Sequence, residues 1–116
     1  MRSFILLLFI FFITACGQHK IPDDIIKVND MKFIMWDLTR AGQYNELKNL
    51  KDTSSKIKPS VTLLYEQVFS LHKVKKDDFY KSLKFYQSHP DINKVLMDSL
   101  AAYATRERTK LYQKRQ

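Results

Sequence analysis

Apolar residues recur at three- and four-residue spacing in four stretches of the chain, which is the spacing of an amphipathic helix. The first stretch follows Asn29, a good N-cap residue, and its pattern continues past Gly42. The other three follow Ser60, Asp77 and Pro90, residue types that favour helix N-termini. Because the 116 residues include only 2 glycines and 3 prolines, turns are few and a sheet is not favoured. The sequence predicts an all-α fold, a small bundle of about four helices.

Each stretch has one apolar face that we expect to form the core. The first helix also has Phe33 and Trp36 off this face, so it either lies centrally in the bundle or presents one side to a partner. The isoleucines between Ile21 and Ile26 predict that this segment packs onto the domain. The four predicted core faces are Met31, Ile34, Met35 and Leu38; Val61, Leu64, Tyr65, Val68 and Leu71; Phe79, Leu83 and Tyr86; and Ile92, Val95, Leu96, Leu100, Tyr103 and Ala104.

Polar segments separate the predicted helices. Residues 51–60, KDTSSKIKPS, are expected to form the longest internal loop, and His72 to Lys75 a turn. His89 precedes Pro90 at the break between the third and fourth helices, and we expect it to close that corner. Pro90 suits the first position of the fourth helix, because proline lacks the N–H that this position leaves unpaired.

The N-terminus has a different pattern. Residues 4–13 are ten consecutive apolar residues, preceded by Arg2 and followed by Ile13-Thr14-Ala15-Cys16. A helix of that length spans about 15 Å, roughly half of a bilayer's hydrocarbon core. The ending resembles the lipobox that lipoprotein signal peptidase cleaves. We therefore expect a lipoprotein signal peptide at 1–15 and lipidation of Cys16; a plain secretory signal and a short membrane anchor are the alternatives.

This interpretation divides the chain into a signal peptide at 1–15, a lipidated N-terminus and tether at 16–28, and a helical domain at 29–116. Cys16 is the only cysteine, so no disulfide and no cysteine ligand are expected in the domain. The covalent lipid on Cys16 is the only attached group that we expect, and no other cofactor is predicted.

Charge is unevenly distributed. The chain has 20 Lys and Arg against 12 Asp and Glu, a formal net charge of +8, and its last eleven residues are RERTKLYQKRQ. The basic residues of this end are spread around a helix, so no single cationic stripe is predicted. An exported protein rarely meets nucleic acid, so anionic headgroups, envelope polymers or an acidic protein are the expected partners.

Catalytic and metal sites are not predicted. His19, His72 and His89 lie far apart in sequence, and none shares a helix face with a second ligand at metal-binding spacing. Two glycines cannot build a phosphate-binding loop. Asp37 lies among apolar residues and needs a partner; Arg40 is the nearest candidate, and a later lysine, tyrosine or backbone donor is equally possible. The sequence predicts neither an enzyme nor a small-molecule substrate.

Aromatic residues are the candidates for partner contacts. Trp36, Tyr80 and Phe85 lie off the core faces, so we expect them to contact a partner. An exposed aromatic groove on the last three helices is a further interpretation, and its candidates are Tyr65, Tyr80, Phe85, Tyr86 and Tyr103. Ordinary core packing is the competing explanation for the aromatics.

Several motifs resemble one family of small lipoproteins, common in Bacteroidota-type envelopes and described as domain of unknown function 4296. They are the lipobox, the segment from Met31 to Leu38, Tyr65 to Phe69, and a run resembling F-x-x-S-L-x-Y-Y-x-x-H-P. In this chain the run has Phe85 at the first tyrosine of the pair. Its motif residues are expected to be structural, together with Asp37: Phe79, Ser82, Leu83, Tyr86, His89 and Pro90. The resemblance implies a helical, lipid-anchored envelope domain.

In envelopes of this type, acidic residues directly after the lipidated cysteine mark lipoproteins that are sent to the outer face. Residues 17–20 contain none, so the resemblance implies a domain that faces the periplasm from the outer membrane. We expect a non-enzymatic interaction or accessory module, tethered to the membrane by its lipid, with an envelope protein as partner. The alternative is a periplasmic holdase chaperone for unfolded outer-membrane clients. An immunity or exclusion lipoprotein is a third interpretation.

Overall fold

Four α-helices account for most of the chain in a computed structural model, which describes residues 20–51 and 60–116. They are α1 (Val28–Lys51), α2 (Val61–Leu71), α3 (Lys76–Gln87) and α4 (Pro90–Gln113). No strand occurs in these two ranges, so the prediction of an all-α bundle is confirmed. Cys16 with the predicted signal peptide, His19, and residues 52–59 of the predicted loop lie outside the described residues.

Local sequence chemistry sets most helix ends. The Ser60 side chain accepts a hydrogen bond from the Thr62 amide at 3.2 Å and caps α2, as predicted. Asp77 and Asp78 lie in the first turn of α3, and Pro90 begins α4. The predicted N-cap of α1 is wrong, because the helix begins at Val28 and Asn29 already lies inside it.

The turn between α2 and α3 depends on Lys73. This residue has a φ of 54°, in the left-handed region that most side chains avoid. Its amide donates to the Ser70 carbonyl at 3.1 Å, and the following Val74 amide donates to the Phe69 carbonyl at 3.0 Å. These bonds satisfy the last carbonyls of α2 and reverse the chain within four residues.

The helix α1 lies at the centre of the bundle. Its Met31 and Ile34 are fully buried, and the helix packs against both α2 and α4. Phe33 and Trp36 face Tyr103 of α4, at ring distances of 4.9 and 6.0 Å. The two apolar sides that the sequence indicated for this helix are therefore both used inside the domain. The buried apolar core consists of Ile25, Met31, Ile34, Val68, Phe69, Phe79, Tyr86, Ile92 and Leu96.

Two residues assigned to core faces are exposed instead. Leu71 is 73% exposed and Val95 is 57% exposed, whereas Phe69, which lay beside the predicted face of α2, is buried. Leu71 is the last residue of α2, and the chain continues from there towards α3, so Leu71 lies beyond the part of the helix that packs on the core. In α4, Ile92 and Leu96, four residues apart, form the contact line, and Val95 lies to one side of it.

The directions of the helices give the bundle two distinct ends. The helices α1 and α2 are antiparallel, because Asp37 contacts His72 while Gly42 lies near Tyr65. Tyr86, just before α4, is bonded to Ile26, just before α1. Tyr103, midway along α4, contacts residues in the first half of α1, so α1 and α4 run in the same general direction. We call the end near residues 20–27 the proximal end, and the end where α1 and α4 terminate the distal end.

Candidate functional site

The proximal end is built around the backbone of Ile26. The Ile26 amide donates to Ser82 Oγ at 3.0 Å, and the Ile26 carbonyl accepts from the Tyr86 hydroxyl at 2.7 Å. Ser82 Oγ in turn donates to the Asp78 carbonyl at 2.7 Å. Both polar groups of this one residue are thus held by two side chains of α3. We call Ser82, Tyr86 and the bonds that they make to Ile26 the clamp.

Helical spacing explains how α3 forms the clamp. Ser82 and Tyr86 are four residues apart and therefore lie on the same face of the helix, one turn above the other. Phe79, one turn earlier, is buried on this face and contacts Phe69 of α2 at a ring distance of 5.3 Å. Ser82 and Tyr86 are fully buried and Ile26 is half-buried, so the polar atoms of the clamp are largely shielded from water. A buried hydrogen bond is costly to break, because the freed group cannot turn to solvent.

Burial raises the pKa of the Tyr86 hydroxyl above its ordinary value. A neutral hydroxyl is required at this position, because it must donate its proton to the Ile26 carbonyl. The burial of Tyr86 and its hydrogen bond to the Ile26 carbonyl therefore both favour the protonated hydroxyl. The clamp does not have the features of a proton-transfer site, in which a group is tuned towards neutral pH.

Charged side chains hold the segment on either side of Ile26. Lys81 donates to the Asp24 carboxylate at 2.5 Å, and this bond lowers the pKa of Asp24 and raises that of Lys81. Lys27 Nζ donates to the Ile21 carbonyl at 3.1 Å and to the Pro22 carbonyl at 2.8 Å. Ile25 is 5% exposed. Residues 21–27 are therefore packed on the domain, which confirms what the isoleucines indicated.

The remaining motif residues shape the corner after α3. The ring of His89 stacks on Phe85 with centroids 4.1 Å apart, and His89 Nδ1 donates to the Phe85 carbonyl at 2.7 Å. The His89 side chain therefore closes the end of α3 just before Pro90 starts α4. Leu83 is half-buried and packs against the core.

Asp37 has a partner that the sequence did not identify. His72 Nε2 donates to Asp37 Oδ2 at 2.8 Å, with both side chains partly buried, so the partner is a histidine and not Arg40 or one of the other donors that the sequence left open. The two residues are 35 positions apart, and the antiparallel packing of α1 and α2 brings them together. The pair ties the turn after α2 to α1. Within residues 20–51 and 60–116, no group of three His, Cys, Asp or Glu residues is placed so that it could hold a metal ion.

The three candidate partner contacts differ in exposure. Tyr80 is 49% exposed and packs edge-on against Phe79. Trp36 and Phe85 are each half-buried by neighbours of the same domain, Tyr103 and His89 respectively. Trp36 therefore packs on α4, whereas Tyr80 and Phe85 lie on α3, and no ring contact joins Trp36 to either of them in the described residues. Tyr86, one of the residues of the predicted groove, is fully buried.

The distal end exposes apolar side chains that the sequence analysis did not single out. On α1, Tyr44, Leu47 and Leu50 are 57%, 58% and 77% exposed. On α4, Leu111 and Tyr112 are 56% and 70% exposed. Periodicity alone could have identified Tyr44 and Leu47, because they follow Phe33 and Trp36 by eleven residues, which is about three helical turns.

A shallow depression lies beside the clamp, between the proximal segment and the turn after α2. It has a volume of about 320 Å³, and its lining includes Asp23, Asp30, Ile34 and His72. It is wide open to solvent, and it does not enclose converging polar groups as a substrate site would.

The described helices include none that is both long enough and apolar enough to span a bilayer. Comparison with curated proteins found no match, and comparison with solved structures found none either. The family described as Domain of unknown function (DUF4296) matches residues 22–110, from the docked proximal segment almost to the end of α4. Because this match covers most of the 116 residues, the chain belongs to that family.

Proposed function

We propose that this protein is a lipoprotein of the cell envelope that acts as a non-enzymatic interaction module. In this proposal Cys16 carries the lipid, and the domain faces the periplasm from the outer membrane. The observation that carries the proposal is the contrast between the two ends of the domain. The chain enters at a tightly held proximal end, whereas the distal end leaves apolar side chains exposed.

The clamp gives the proposed anchor a short reach. Only residues 17–19 separate Cys16 from Lys20, and Ile21 already packs on the domain. Four residues span at most about 14 Å, so the lipid would hold the proximal end close to the bilayer. Confinement to a membrane surface raises the effective concentration for partners on the same surface. The short link therefore suits a protein that works beside another envelope component.

The apolar stripe of distal α1 is the proposed partner contact. We define this stripe as Tyr44, Leu47 and Leu50. It continues the face on which Phe33 and Trp36 pack against Tyr103, so the same side of α1 is covered near its start and uncovered near its end. Contiguous exposed apolar residues on a small soluble domain favour association with another surface. Trp36 lies about two helical turns before this stripe on the same helix and is half-buried, so it stays a candidate contact in this proposal.

One experiment tests the anchor. Replacement of Cys16 by serine is expected to move the protein from the membrane fraction to the soluble fraction and to stop maturation at the lipoprotein signal. If the Cys16→Ser protein stays with membranes and matures as the original does, the proposed anchor is wrong.

A second experiment tests the interaction module. The native lipoprotein is crosslinked in cells, purified in mild detergent and analysed by mass spectrometry for proteins recovered at a fixed ratio. The Leu47→Asp variant is expected to lose that protein. The matched control is Leu71→Asp, because Leu71 is also an exposed leucine but lies near the proximal end of α2. Equal recovery with both variants would exclude the stripe as the contact.

A holdase chaperone is the second candidate, favoured by the same exposed apolar side chains on a basic domain. A holdase binds many unfolded clients, whereas the module binds one partner in a saturable way. Recovery of many unrelated outer-membrane proteins, without a fixed ratio, would therefore favour the holdase.

A further inference from the structure

The last turns of α4 form a second exposed surface with a defined composition. Arg108, Leu111, Tyr112 and Arg115 follow one another at three- and four-residue spacing, so they share one side of the helix. Together they line a shallow depression of about 230 Å³. We call these four residues the arginine face. Two guanidinium groups thus flank a leucine and a tyrosine, although the sequence pattern had indicated no single cationic stripe.

The arginine face has no partner within the described part of the chain. Every residue from 108 to 116 is exposed, so none of the other described helices packs on this end of α4. Glu107 is the only acidic residue nearby in sequence, and its carboxylate is paired with Lys110 at 2.8 Å. No carboxylate within residues 20–51 or 60–116 forms an ion pair with Arg108 or Arg115. Both guanidinium groups are therefore available to an external anion.

We infer that the arginine face is a docking surface for an acidic segment of a protein partner, in which carboxylates flank an apolar side chain. A guanidinium group binds a carboxylate through two parallel hydrogen bonds, so two of them at fixed spacing select a pattern of acidic residues. Leu111 and Tyr112, 56% and 70% exposed, offer the apolar contact between the charges. This composition is complementary to an acidic amphipathic segment.

The direction of α4 favours a protein over the bilayer that holds the lipid. This step rests on the proposed function, because it assumes an anchor at Cys16. The helix has 24 residues and a length of about 36 Å, and it runs from the proximal end towards the distal end. The arginine face then lies far from the anchored end, at the height where another envelope protein would meet the domain.

Site-specific crosslinking in cells tests the inference on the complete lipoprotein. A photo-crosslinking amino acid is placed at Tyr112, and the crosslinked peptide is identified by mass spectrometry. We expect one peptide rich in Asp and Glu, and an at least tenfold loss of crosslinking in the Arg108→Glu/Arg115→Glu variant. The matched control, Arg106→Glu/Lys114→Glu, changes the net charge equally but lies off the arginine face and is expected to retain the crosslink.

Charge reversal on the partner completes the test. Lysines in place of the acidic residues of the identified peptide should restore crosslinking to the Arg108→Glu/Arg115→Glu variant. The inference is overturned by crosslinks to lipid, by a peptide without carboxylates, or by equal loss in both double variants. Crosslinking from Leu47 to a fixed partner without any from Tyr112 would remove this inference and leave the proposed function standing, whereas no crosslink from either position would remove both.

Discussion

Removing the hydroxyl group of Tyr86 tests the clamp with the smallest possible change. In Tyr86→Phe the ring stays in the core, and only the 2.7 Å bond to the Ile26 carbonyl is lost. A buried carbonyl left without a donor costs about 1–3 kcal/mol. Ile26 is only partly buried, so water can reach part of its backbone, and we expect about 1–2 kcal/mol.

Two measurements follow this loss. Urea unfolding monitored by circular dichroism gives the free energy of unfolding, and thermal unfolding should show a melting temperature about 5–10 °C lower for a domain of this size. Hydrogen exchange reports whether the segment opens locally. If opening of the segment becomes about 1–2 kcal/mol easier, the Ile26 amide should exchange about 5–30 times faster, since 1.4 kcal/mol corresponds to a factor of ten.

Tyr80→Phe is the matched control. Tyr80 lies on the same helix and is 49% exposed, and its hydroxyl makes no hydrogen bond within residues 20–51 and 60–116. This variant should change stability by less than about 0.5 kcal/mol. If Tyr86→Phe leaves both the free energy of unfolding and the exchange of the Ile26 amide at the level of Tyr80→Phe, the clamp does not hold the segment in the way described here.

Combining Tyr86→Phe with Ser82→Ala tests whether the two bonds act together. Ser82 Oγ accepts from the Ile26 amide, so both substitutions release the same residue. Once one bond is lost, the segment is partly freed and the second bond is worth less. We expect the double variant to lose less stability than the two single losses combined, by about 0.5–1 kcal/mol in a double-mutant cycle. Strict additivity would show that Ser82 and Tyr86 act on separate parts of the structure.

The remaining two predictions concern side-chain pairs. Asp37→Ala and His72→Ala should each lower the free energy of unfolding by about 1 kcal/mol in a urea titration, whereas Arg40→Ala should change it little. A larger effect of Arg40→Ala than of His72→Ala would indicate that Asp37 pairs with Arg40 instead. Lys81→Gln should raise the pKa of Asp24 towards the ordinary range, because the bond from Lys81 is the largest cause of its lowering. Because the pKa of Asp24 is lowered in the folded state, the pair stabilises the fold at pH values above the ordinary aspartate pKa, and this stabilisation is lost as pH falls through the lowered value. An NMR titration of the Asp24 carboxyl that is identical in both proteins would contradict this account.

Local chemistry accounts for the parts of the fold that were predicted correctly. Ser60, Asp77 and Pro90 act within one turn of their own position, so their roles can be assigned without knowledge of the rest of the chain. The errors lie where packing against another helix decides which side chains are buried. Leu71 fits the periodicity of α2, yet it is exposed because the helix ends there and Phe69 turns towards α3 instead.

The same distinction applies to the candidate site. Tyr86 and Ser82 could be singled out as motif residues, but their partner is a backbone group 60 and 56 positions away. A backbone amide and carbonyl carry no residue-specific signal, so sequence reasoning has no means to select Ile26. In the same way Asp37 could be recognised as a residue that needs a partner, while His72 as that partner depends on how α1 and α2 pack.

The sequence by itself determined that this chain forms helices and where most of them start, because these properties follow from spacing and capping along the chain. The isoleucines indicated that residues 21–26 pack onto the domain, although the predicted boundary placed them in a tether. Only the tertiary structure decided which residues meet across helices and which apolar side chains stay exposed. Periodicity shows that each helix has an apolar face, but it does not show how much of that face a neighbouring helix covers. In α1, Tyr103 packs on Phe33 and Trp36 near the start of the helix, whereas Leu47, farther along the same side, is exposed.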